Sequence, residues 1–256
     1  MSKYLFFDID GTLYNSNKKL PESAKEALKA ARANGHEIAI ATGRAPFMIA
    51  SLLEELEIDT YVSFNGQYVV YKGEVIFTDG VSRQRLAQIL TFGEQRGEPV
   101  VFLNNREMVA SMPGHRHVKE SLATLKYPYP RVDEKFYEMQ EVYQTLVYVT
   151  AEDEHLYHKS FPDVQFVRWH PYCCDVLPKE GSKARGIQKL LAHIGRSLDE
   201  AIAFGDGLND VEMIQSVGTG VVMGNGHAQA LAVADIIAPH VDEDGLAKVM
   251  QQLKLI

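Results

Sequence analysis

Tyr4-Leu5-Phe6-Phe7-Asp8-Ile9-Asp10-Gly11-Thr12 is the stretch of sequence that decides the fold of this chain. The four residues before Asp8 are all apolar, which is typical of a strand that is buried on both faces of a parallel sheet. The apolar run ends at Asp8, and a second carboxyl group follows two residues later at Asp10. Because ligands bind at the carboxyl ends of the strands in open parallel sheets, both aspartates are candidate site residues.

The pattern of a buried strand with a polar end recurs twice in the next fifty residues. Ile38–Ala41 is ended by Thr42-Gly43-Arg44, and Tyr61–Phe64 is ended by Asn65-Gly66. Apolar residues at helical spacing lie between these runs. An alternation of strands and helices predicts right-handed crossovers and a sheet covered by helices, which is an α/β, Rossmann-like core with a parallel sheet.

The middle third of the chain has a different pattern. Tyr68–Phe77 is predicted to form two short strands around Lys72-Gly73, and Ser82–Arg96 is predicted to form a helix. Further strand-like stretches follow at Val100–Leu103, Thr145–Val149 and Cys173–Leu177. We expect an inserted α+β cap domain at residues 82–182, within a catalytic core formed by residues 1–81 and 183–256.

The first pattern returns after the insertion. Ser182 can cap a helix that begins near Lys183, and Ala201–Phe204 is another buried strand. This strand is ended by Gly205-Asp206-Gly207-Leu208-Asn209-Asp210. If it neighbours the first strand, the acidic residues at the two strand ends converge on one small space.

Carboxylates that lie close together repel each other, and a hard divalent cation relieves that repulsion. Mg²⁺ accepts oxygen ligands and is therefore the predicted cofactor. Asp8 and Asp206 are the best candidates for side-chain ligands, and Asp10 can contribute its backbone carbonyl. Asn209 and Asp210 can hold the metal directly or orient its waters.

The same residues are suited to phosphoryl transfer. A metal explains how an acidic chain can bind an anionic substrate, and Lys183 and the hydroxyl of Thr42, with nearby backbone N–H groups, add further donors. An aspartate can be a nucleophile that forms an aspartyl-phosphate, which is the role expected of Asp8. Asp10 would then protonate the leaving alcohol and later deprotonate water.

Four ordered motifs carry a family resemblance: Asp8-Ile9-Asp10-Gly11-Thr12, Thr42-Gly43-Arg44, Lys183 and Gly205–Asp210. They resemble the motifs of the haloacid dehalogenase superfamily over nearly the whole chain. The order, the spacing and an insertion between the second and third motifs are similar to the Cof-type sugar-phosphate phosphatases, which carry a large cap there. One departure is Gln67, where that family often has alanine after Asn-Gly.

The resemblance implies a role for each matching residue. Asp8 would be the nucleophile and a metal ligand, and Asp10 the general acid/base and a carbonyl ligand. The phosphate-binding set would be Thr42, Gly43, Lys183 and Asn209, and the metal set Asp8, Asp10, Asp206, Asn209 and Asp210. Arg44 can contact the substrate or pair with a carboxylate, and Asn65 is a possible substrate-binding residue.

Several polar and aromatic residues of the insertion are candidates for contacts with the leaving group: Arg106, His115, Arg116, His117, Trp169, His170 and Tyr172. The segment His115-Arg116-His117 can be a metal site or an ordinary group of surface histidines, and surface histidines are the commoner case.

We therefore expect a phosphatase that hydrolyses small phosphorylated metabolites. A phosphomutase uses the same aspartyl-phosphate and is the nearest alternative. A signalling receiver also clusters carboxylates and Mg²⁺, but a receiver needs neither a leaving-group acid nor an inserted domain. A binding protein without catalysis is disfavoured because the carboxylate set is complete.

Composition agrees with a globular enzyme. The chain has 256 residues, of which 46% are hydrophobic, and a formal net charge of −8, which disfavours nucleic-acid binding.

Cys173 and Cys174 are adjacent and would point to opposite faces of a strand, so we expect reduced thiols in a cytoplasmic protein. No apolar run has the length of a signal peptide or a membrane span. A monomer or small homo-oligomer is expected.

Overall fold

The computed structural model describes residues 2–256. Its strands, in chain order, are β1 (Tyr4–Phe7), β2 (Glu37–Ala41), β3 (Tyr61–Ser63), β4 (Tyr68–Tyr71), β5 (Glu74–Thr78), β6 (Val100–Leu103), β7 (Met108–Ala110), β8 (Arg131–Val132), β9 (Gln144–Val147), β10 (Val164–His170), β11 (Cys173–Pro178), β12 (Ala201–Gly205), β13 (Thr219–Val222) and β14 (Ile236–Ile237).

The α-helices, again in chain order, are α1 (Glu22–Ala33), α2 (Pro46–Glu55), α3 (Arg83–Glu94), α4 (Arg116–Thr124), α5 (Phe136–Met139), α6 (Glu154–Ser160), α7 (Lys183–His193), α8 (Val211–Ser216), α9 (Ala228–Leu231) and α10 (Gly245–Gln252). In the part of the chain that the structure covers, none of these helices is both long enough and apolar enough to cross a membrane.

The chain divides into two compact units. The first consists of the residues up to Arg44 together with Met48–Phe77 and Ser182–Ile256. The second consists of Ala45–Phe47 and Thr78–Gly181. The sequence predicts the insertion at residues 82–182, whereas the long segment of the second unit runs from Thr78, the last residue of β5, to Gly181.

The first unit contains a sheet with the strand order β14-β13-β12-β1-β2-β3-β4-β5. The neighbours from β14 to β3 pair in parallel, and β4 pairs antiparallel with β3. This arrangement confirms the predicted α/β fold with a parallel-sheet core. The tight link from β3 to β4 explains the antiparallel edge, since a parallel connection requires a crossover of a dozen or more residues.

The central strands of the first unit are buried on both faces. In β1, Leu5 and Phe7 belong to one hydrophobic cluster, which also contains residues of α1 and α10. Phe6 belongs to the cluster on the other face, with residues of α7 and α8. Successive side chains of a strand point to opposite faces, so a strand covered by helices on both sides is apolar at every position.

The second unit has its own sheet and its own core. The strand order is β10-β11-β9-β6-β7-β8, with antiparallel pairs except between β7 and β8. One hydrophobic cluster joins its strands to α3 and α6, and all its buried members lie between Leu86 and Val176. Cys173 and Cys174 of β11 are both buried and free.

Candidate active site

The parallel pairing of β1 with β12 brings two of the predicted aspartates to one edge of the sheet. Phe7 is in register with Phe204, and their rings stack with centroids 4.6 Å apart. The backbone N–H of Asp8 donates to the carbonyl of Phe204 at 2.9 Å. Asp206 follows directly after β12, so both carboxylates project from neighbouring strand ends.

Three carboxylates form one cluster at these ends. Asp8, Asp206 and Asp210 each have an oxygen atom within 4.8 Å of the others. Asp210 is fully buried, and its Oδ2 accepts the backbone N–H groups of Asp206 at 2.9 Å and Gly207 at 2.8 Å. These two bonds fix the loop after β12 around the carboxylate of Asp210.

Burial and mutual repulsion raise the pKa values in this cluster. Burial raises the pKa of Asp8 to about 8, with further increases from the charges of Asp210 and Asp206 and an opposing effect of Lys183. Burial, followed by the charge of Asp210, raises the pKa of Asp206 to about 7. A cation bound beside these carboxylates would lower their raised pKa values and so favour their ionised form.

Lys183 supplies a positive charge inside the cluster. It is the first residue of α7, whose N-cap residue Ser182 accepts the N–H of Arg185. The side chain of Lys183 is 0% exposed, and its Nζ donates at 2.6 Å to Oδ1 of Asp8 and at 2.6 Å to Oδ1 of Asp210. Burial alone would lower the pKa of Lys183, but the two carboxylates outweigh it and the pKa is raised.

Thr12 also belongs to this cluster, although the first motif predicts no separate role for it. It is fully buried, and its hydroxyl donates to Oδ1 of Asp206 at 3.0 Å. Its place in the first motif was the signal that could have identified it. The bond holds Asp206 in one orientation toward Asp8 and Asp210.

The side chain of Asp10 is bound by two cations. Arg44 donates from Nε and Nη2 at 2.7 Å each, and Lys18 donates from Nζ at 2.8 Å. Burial would raise the pKa of Asp10, but its bonds to Arg44 and Lys18 outweigh burial and lower it. Of the two alternatives for Arg44, the structure shows the pairing with a carboxylate. Lys18 was not predicted.

The loop after β2 begins at the end of a strand that lies between β1 and β3 in the sheet. Thr42 is buried; its N–H donates to the carbonyl of Val62 at 2.9 Å, and its Oγ1 accepts the N–H of Arg44 at 3.1 Å. Asn65 is buried as well, and its Oδ1 accepts Nδ2 of Asn209 at 3.0 Å. Thus Asn65 and Asn209, predicted for different tasks, are bonded to each other.

Four candidate residues of the second unit have aromatic rings that contact one another in series. His117 stacks on Tyr172 at 4.2 Å, and His115 and His170 contact that pair. Nδ1 of His115 and Nδ1 of His170 each accept a backbone N–H, which occupies one potential ligand atom of each ring. Among residues 2–256, the only group with metal-ligand geometry is that of the three aspartates in the first unit.

The other candidates of the second unit have different surroundings. Arg116 pairs with Glu120 at 2.6 Å, and Trp169 contacts the ring of His170. Arg106 donates its backbone N–H to Asn104 at 2.8 Å. These positions do not by themselves define a substrate pocket.

A parallel sheet with three clustered aspartates and a buried lysine at the ends of its strands is an arrangement suited to phosphoryl transfer. The sequence profile of the haloacid dehalogenase-like hydrolases matches residues 5–250. The chain belongs to this family, and it is a hydrolase of the phosphatase class.

Individual relatives cover the whole chain. The Bacillus subtilis (strain 168) protein named "Putative phosphatase YkrA" is 41% identical over 255 residues, which are 100% of this chain and 99% of that protein. The structure of a hypothetical protein from Geobacillus kaustophilus HTA426 is 44% identical, with a TM-score of 0.94 and full coverage of both chains. The structure of the subclass IIB sugar phosphatase BT4131 is 33% identical, with a TM-score of 0.89 and full coverage of both chains.

Proposed function

We propose that this chain is a Mg²⁺-dependent phosphatase of small phosphorylated metabolites, such as sugar phosphates, that forms an aspartyl-phosphate on Asp8. The observation that carries the proposal is the buried arrangement of Lys183 between Asp8 and Asp210, with Asp206 beside them. This arrangement brings the proposed nucleophile Asp8, the ammonium group of Lys183 and the acidic cluster together. The similarity to a sugar phosphatase over the full chain supports the substrate class.

The donor set fits a hard divalent cation. All three donors are carboxylate oxygen atoms, these atoms lie within 4.8 Å of one another, and two of the three carboxylates are buried. Asp8, Asp206 and the backbone carbonyl of Asp10 would hold the ion, with Asp210 and Asn209 as direct ligands or as partners of its waters. When bound, Mg²⁺ supplies positive charge that neutralises the carboxylates and the phosphate oxygens.

The first proposed step is transfer of the phosphoryl group to Asp8. A carboxylate oxygen of Asp8 attacks phosphorus, the bond from phosphorus to the leaving oxygen breaks, and Asp10 donates a proton to that oxygen. Lys183, the Thr42 hydroxyl, the Gly43 backbone N–H and Asn209 would bind the phosphoryl oxygens, as the family resemblance implies. Charge stabilisation of this kind is usually the largest contribution to catalysis.

The second proposed step is hydrolysis of the aspartyl-phosphate. Asp10 takes a proton from water, the water oxygen attacks phosphorus, and the bond to Asp8 breaks to release inorganic phosphate. The ionised state of Asp10, favoured by Arg44 and Lys18, suits this step. Donation of a proton in the first step requires Asp10 to give up at least one of these contacts.

We also propose that the second unit is a cap that selects the leaving group. Its sequence lies between the second and third motifs, where the family resemblance places the specificity domain. It carries arginine, histidine and aromatic side chains that bind polar metabolites well.

The test is a screen of phosphorylated sugars, nucleotides and cofactors with Mg²⁺, in which released inorganic phosphate is measured for wild type and Asp8→Asn. Removal of the nucleophile should lower kcat at least about a thousandfold while the chain stays folded. The matched control is Asp199→Asn, at an exposed carboxylate of the same unit, which should keep wild-type activity. Turnover retained by Asp8→Asn would refute the aspartyl-phosphate, and an isomerised product without phosphate release would indicate a mutase.

A further inference from the structure

The turn between β3 and β4 has an unusual backbone. Phe64, Asn65 and Gly66 all have positive φ angles, of 51°, 51° and 96° respectively. Glycine adopts this region freely and asparagine tolerates it, but a bulky residue such as phenylalanine is a genuine outlier there. Backbone strain of this kind persists only where the surroundings hold it, and it concentrates at functional sites.

The surroundings of Asn65 explain what holds the turn. Its N–H donates to the carbonyl of Thr42 at 3.0 Å, and its Oδ1 accepts Nδ2 of Asn209 at 3.0 Å. A methyl group added to Gly43 would lie 3.0 Å from Nδ2 and 3.0 Å from Oδ1 of Asn65. One buried side chain therefore contacts the loop after β2 and the loop after β12.

The same turn also contacts the start of α7. A methyl group added to Gly66 would lie only 2.0 Å from the carbonyl oxygen of Ser182, the residue before Lys183. Nε2 of the buried Gln67 donates to the carbonyl of Asn65 at 3.2 Å and so closes the turn from within. Gln67, the one departure from the family pattern, is thus part of the support for Asn65.

We propose that Asn65 is a positioning residue that sets the distance between Thr42-Gly43 and the loop of Asn209 and Asp210. This proposal rests on the proposed function. Asn65 has 2% of its surface exposed and its oxygen is bonded to Asn209, which is the arrangement expected of a residue that positions its neighbours. The substrate-binding role expected from the sequence stays a prediction. The left-handed backbone of Asn65 is the conformation that brings the amide group between the two loops.

The consequence is a specific effect on turnover. Thr42, Gly43 and Asn209 are proposed to contact the phosphoryl group, so their relative placement determines how well the transition state is held. A misplacement of about 1 Å can cost on the order of a hundredfold in rate. Loss of Asn65 should therefore lower kcat much more than it raises KM.

The first experiment separates the side chain from the backbone of Asn65. Asn65→Gly keeps the left-handed turn but removes the amide group, whereas Asn65→Ala removes the amide group and also disfavours the turn. With p-nitrophenyl phosphate and Mg²⁺, both variants should lower kcat by about 10- to 100-fold, with KM within about threefold of wild type. The matched control is Ser63→Ala, at the last residue of β3 directly before the turn, where the buried hydroxyl has no hydrogen-bond partner among residues 2–256.

A wild-type kcat in Asn65→Gly would overturn the proposal, because the turn alone would then suffice. A second route does not depend on the folding of the Asn65 variants. Gly43→Ala keeps the backbone N–H at position 43 but places a methyl group in close contact with the side-chain amide of Asn65, so it should also lower kcat. In an Asn65→Gly background the methyl group has room, and Gly43→Ala should change kcat less than about twofold. An equal effect of Gly43→Ala in both backgrounds would contradict the proposal.

Calorimetric titration with Mg²⁺ provides a readout without turnover. Because Asn65 holds Asn209 beside Asp210, Asn65→Gly should weaken Mg²⁺ binding about tenfold, while Ser63→Ala should not. Unchanged Mg²⁺ affinity in Asn65→Gly would count against the positioning role. If wild type releases no phosphate from any substrate tested, the proposed function fails, and the titration still decides the role of Asn65.

Discussion

The side chain of Lys183 is the most unusual feature of the site at the scale of single residues. Lysine is almost never fully buried unless it is paired, and Lys183 has two carboxylate partners at 2.6 Å. The ammonium group offsets part of the repulsion among the aspartates. Removing it leaves buried charge without compensation, which is a strongly destabilising change in proteins.

Lys183→Met should therefore both inactivate and destabilise the enzyme. Methionine keeps much of the volume of the lysine stem but leaves Asp8 and Asp210 without their cation, so the free energy of unfolding should fall by about 3 kcal/mol in EDTA. Urea denaturation followed by circular dichroism measures this change. Lys189→Met, on the exposed face of the same helix, should stay within about 0.5 kcal/mol of wild type. Equal losses in the two variants would show that Lys183 contributes nothing beyond an ordinary helix residue.

The sequence could indicate the identity of these residues but not their environment. The motif order singled out Lys183, yet its complete burial depends on the packing of α7, which no local pattern describes. Likewise the bidentate bond from Arg44 to Asp10 joins residues 34 positions apart, so the sequence left two roles open for Arg44. Thr12 was missed as a partner of Asp206 because that contact spans 194 positions.

At the scale of elements, the approach of α7 to the turn after β3 decides where Lys183 lies. Gly186, within this helix, is so close to the neighbouring backbone that an added methyl group would lie 2.8 Å from Cα of Gly66 and 2.4 Å from a side-chain carbon of Val62. The absence of a side chain at position 186 thus lets the helix pack closely enough for Lys183 to reach Asp8.

Gly186→Ala should reverse the usual sign of a glycine-to-alanine change. Alanine in a helix interior normally stabilises by about 0.5–1 kcal/mol, but overpacking here should destabilise by about 1–3 kcal/mol. The midpoint of urea unfolding at constant m-value reports the difference. Gln188→Ala, at an exposed position of α7, serves as the control and should be nearly neutral. A stabilised Gly186→Ala variant would mean that the helix can shift without cost.

The elements that carry the site were the easiest to predict. β1, β2 and β12 are short and buried except at the first residue of β1 and of β2, and each is followed by polar residues, so their apolar runs indicated both their position and their ends. In the second unit, six elements were not predicted: β7, β8, β10, α4, α5 and α6. The α4 segment has only Val118 and Leu122 as buried apolar residues of a short helix whose other positions are mainly polar, so too few apolar residues mark it as a helix.

At the scale of the whole molecule, each unit has a hydrophobic core of its own. The clusters on the two faces of the first sheet contain no residue from positions 78–181. The cluster of the second unit contains none from the first. In the first unit, the ring of Phe77 lies 5.3 Å from the guanidinium carbon of Arg185, so the chain leaves and re-enters this unit at nearby points. A short linker can therefore replace the intervening segment.

A chain in which residues 78–181 are replaced by a short Gly-Ser linker should fold cooperatively and bind Mg²⁺, because the three aspartates, Lys183 and both hydrophobic clusters of the first unit are retained. At a Mg²⁺ concentration of 100 times Kd, binding should add about 2.7 kcal/mol to the free energy of unfolding, as for any ligand that binds only the folded state. Thermal unfolding with Mg²⁺ and with EDTA measures this gain. The same shortened chain with Asp206→Asn should lose most of it, since one ligand of the proposed site is gone. A shortened chain that unfolds without cooperativity would show that the first unit needs the second for its stability, and cooperative unfolding without a response to Mg²⁺ would contradict the proposed Mg²⁺ site of the first unit.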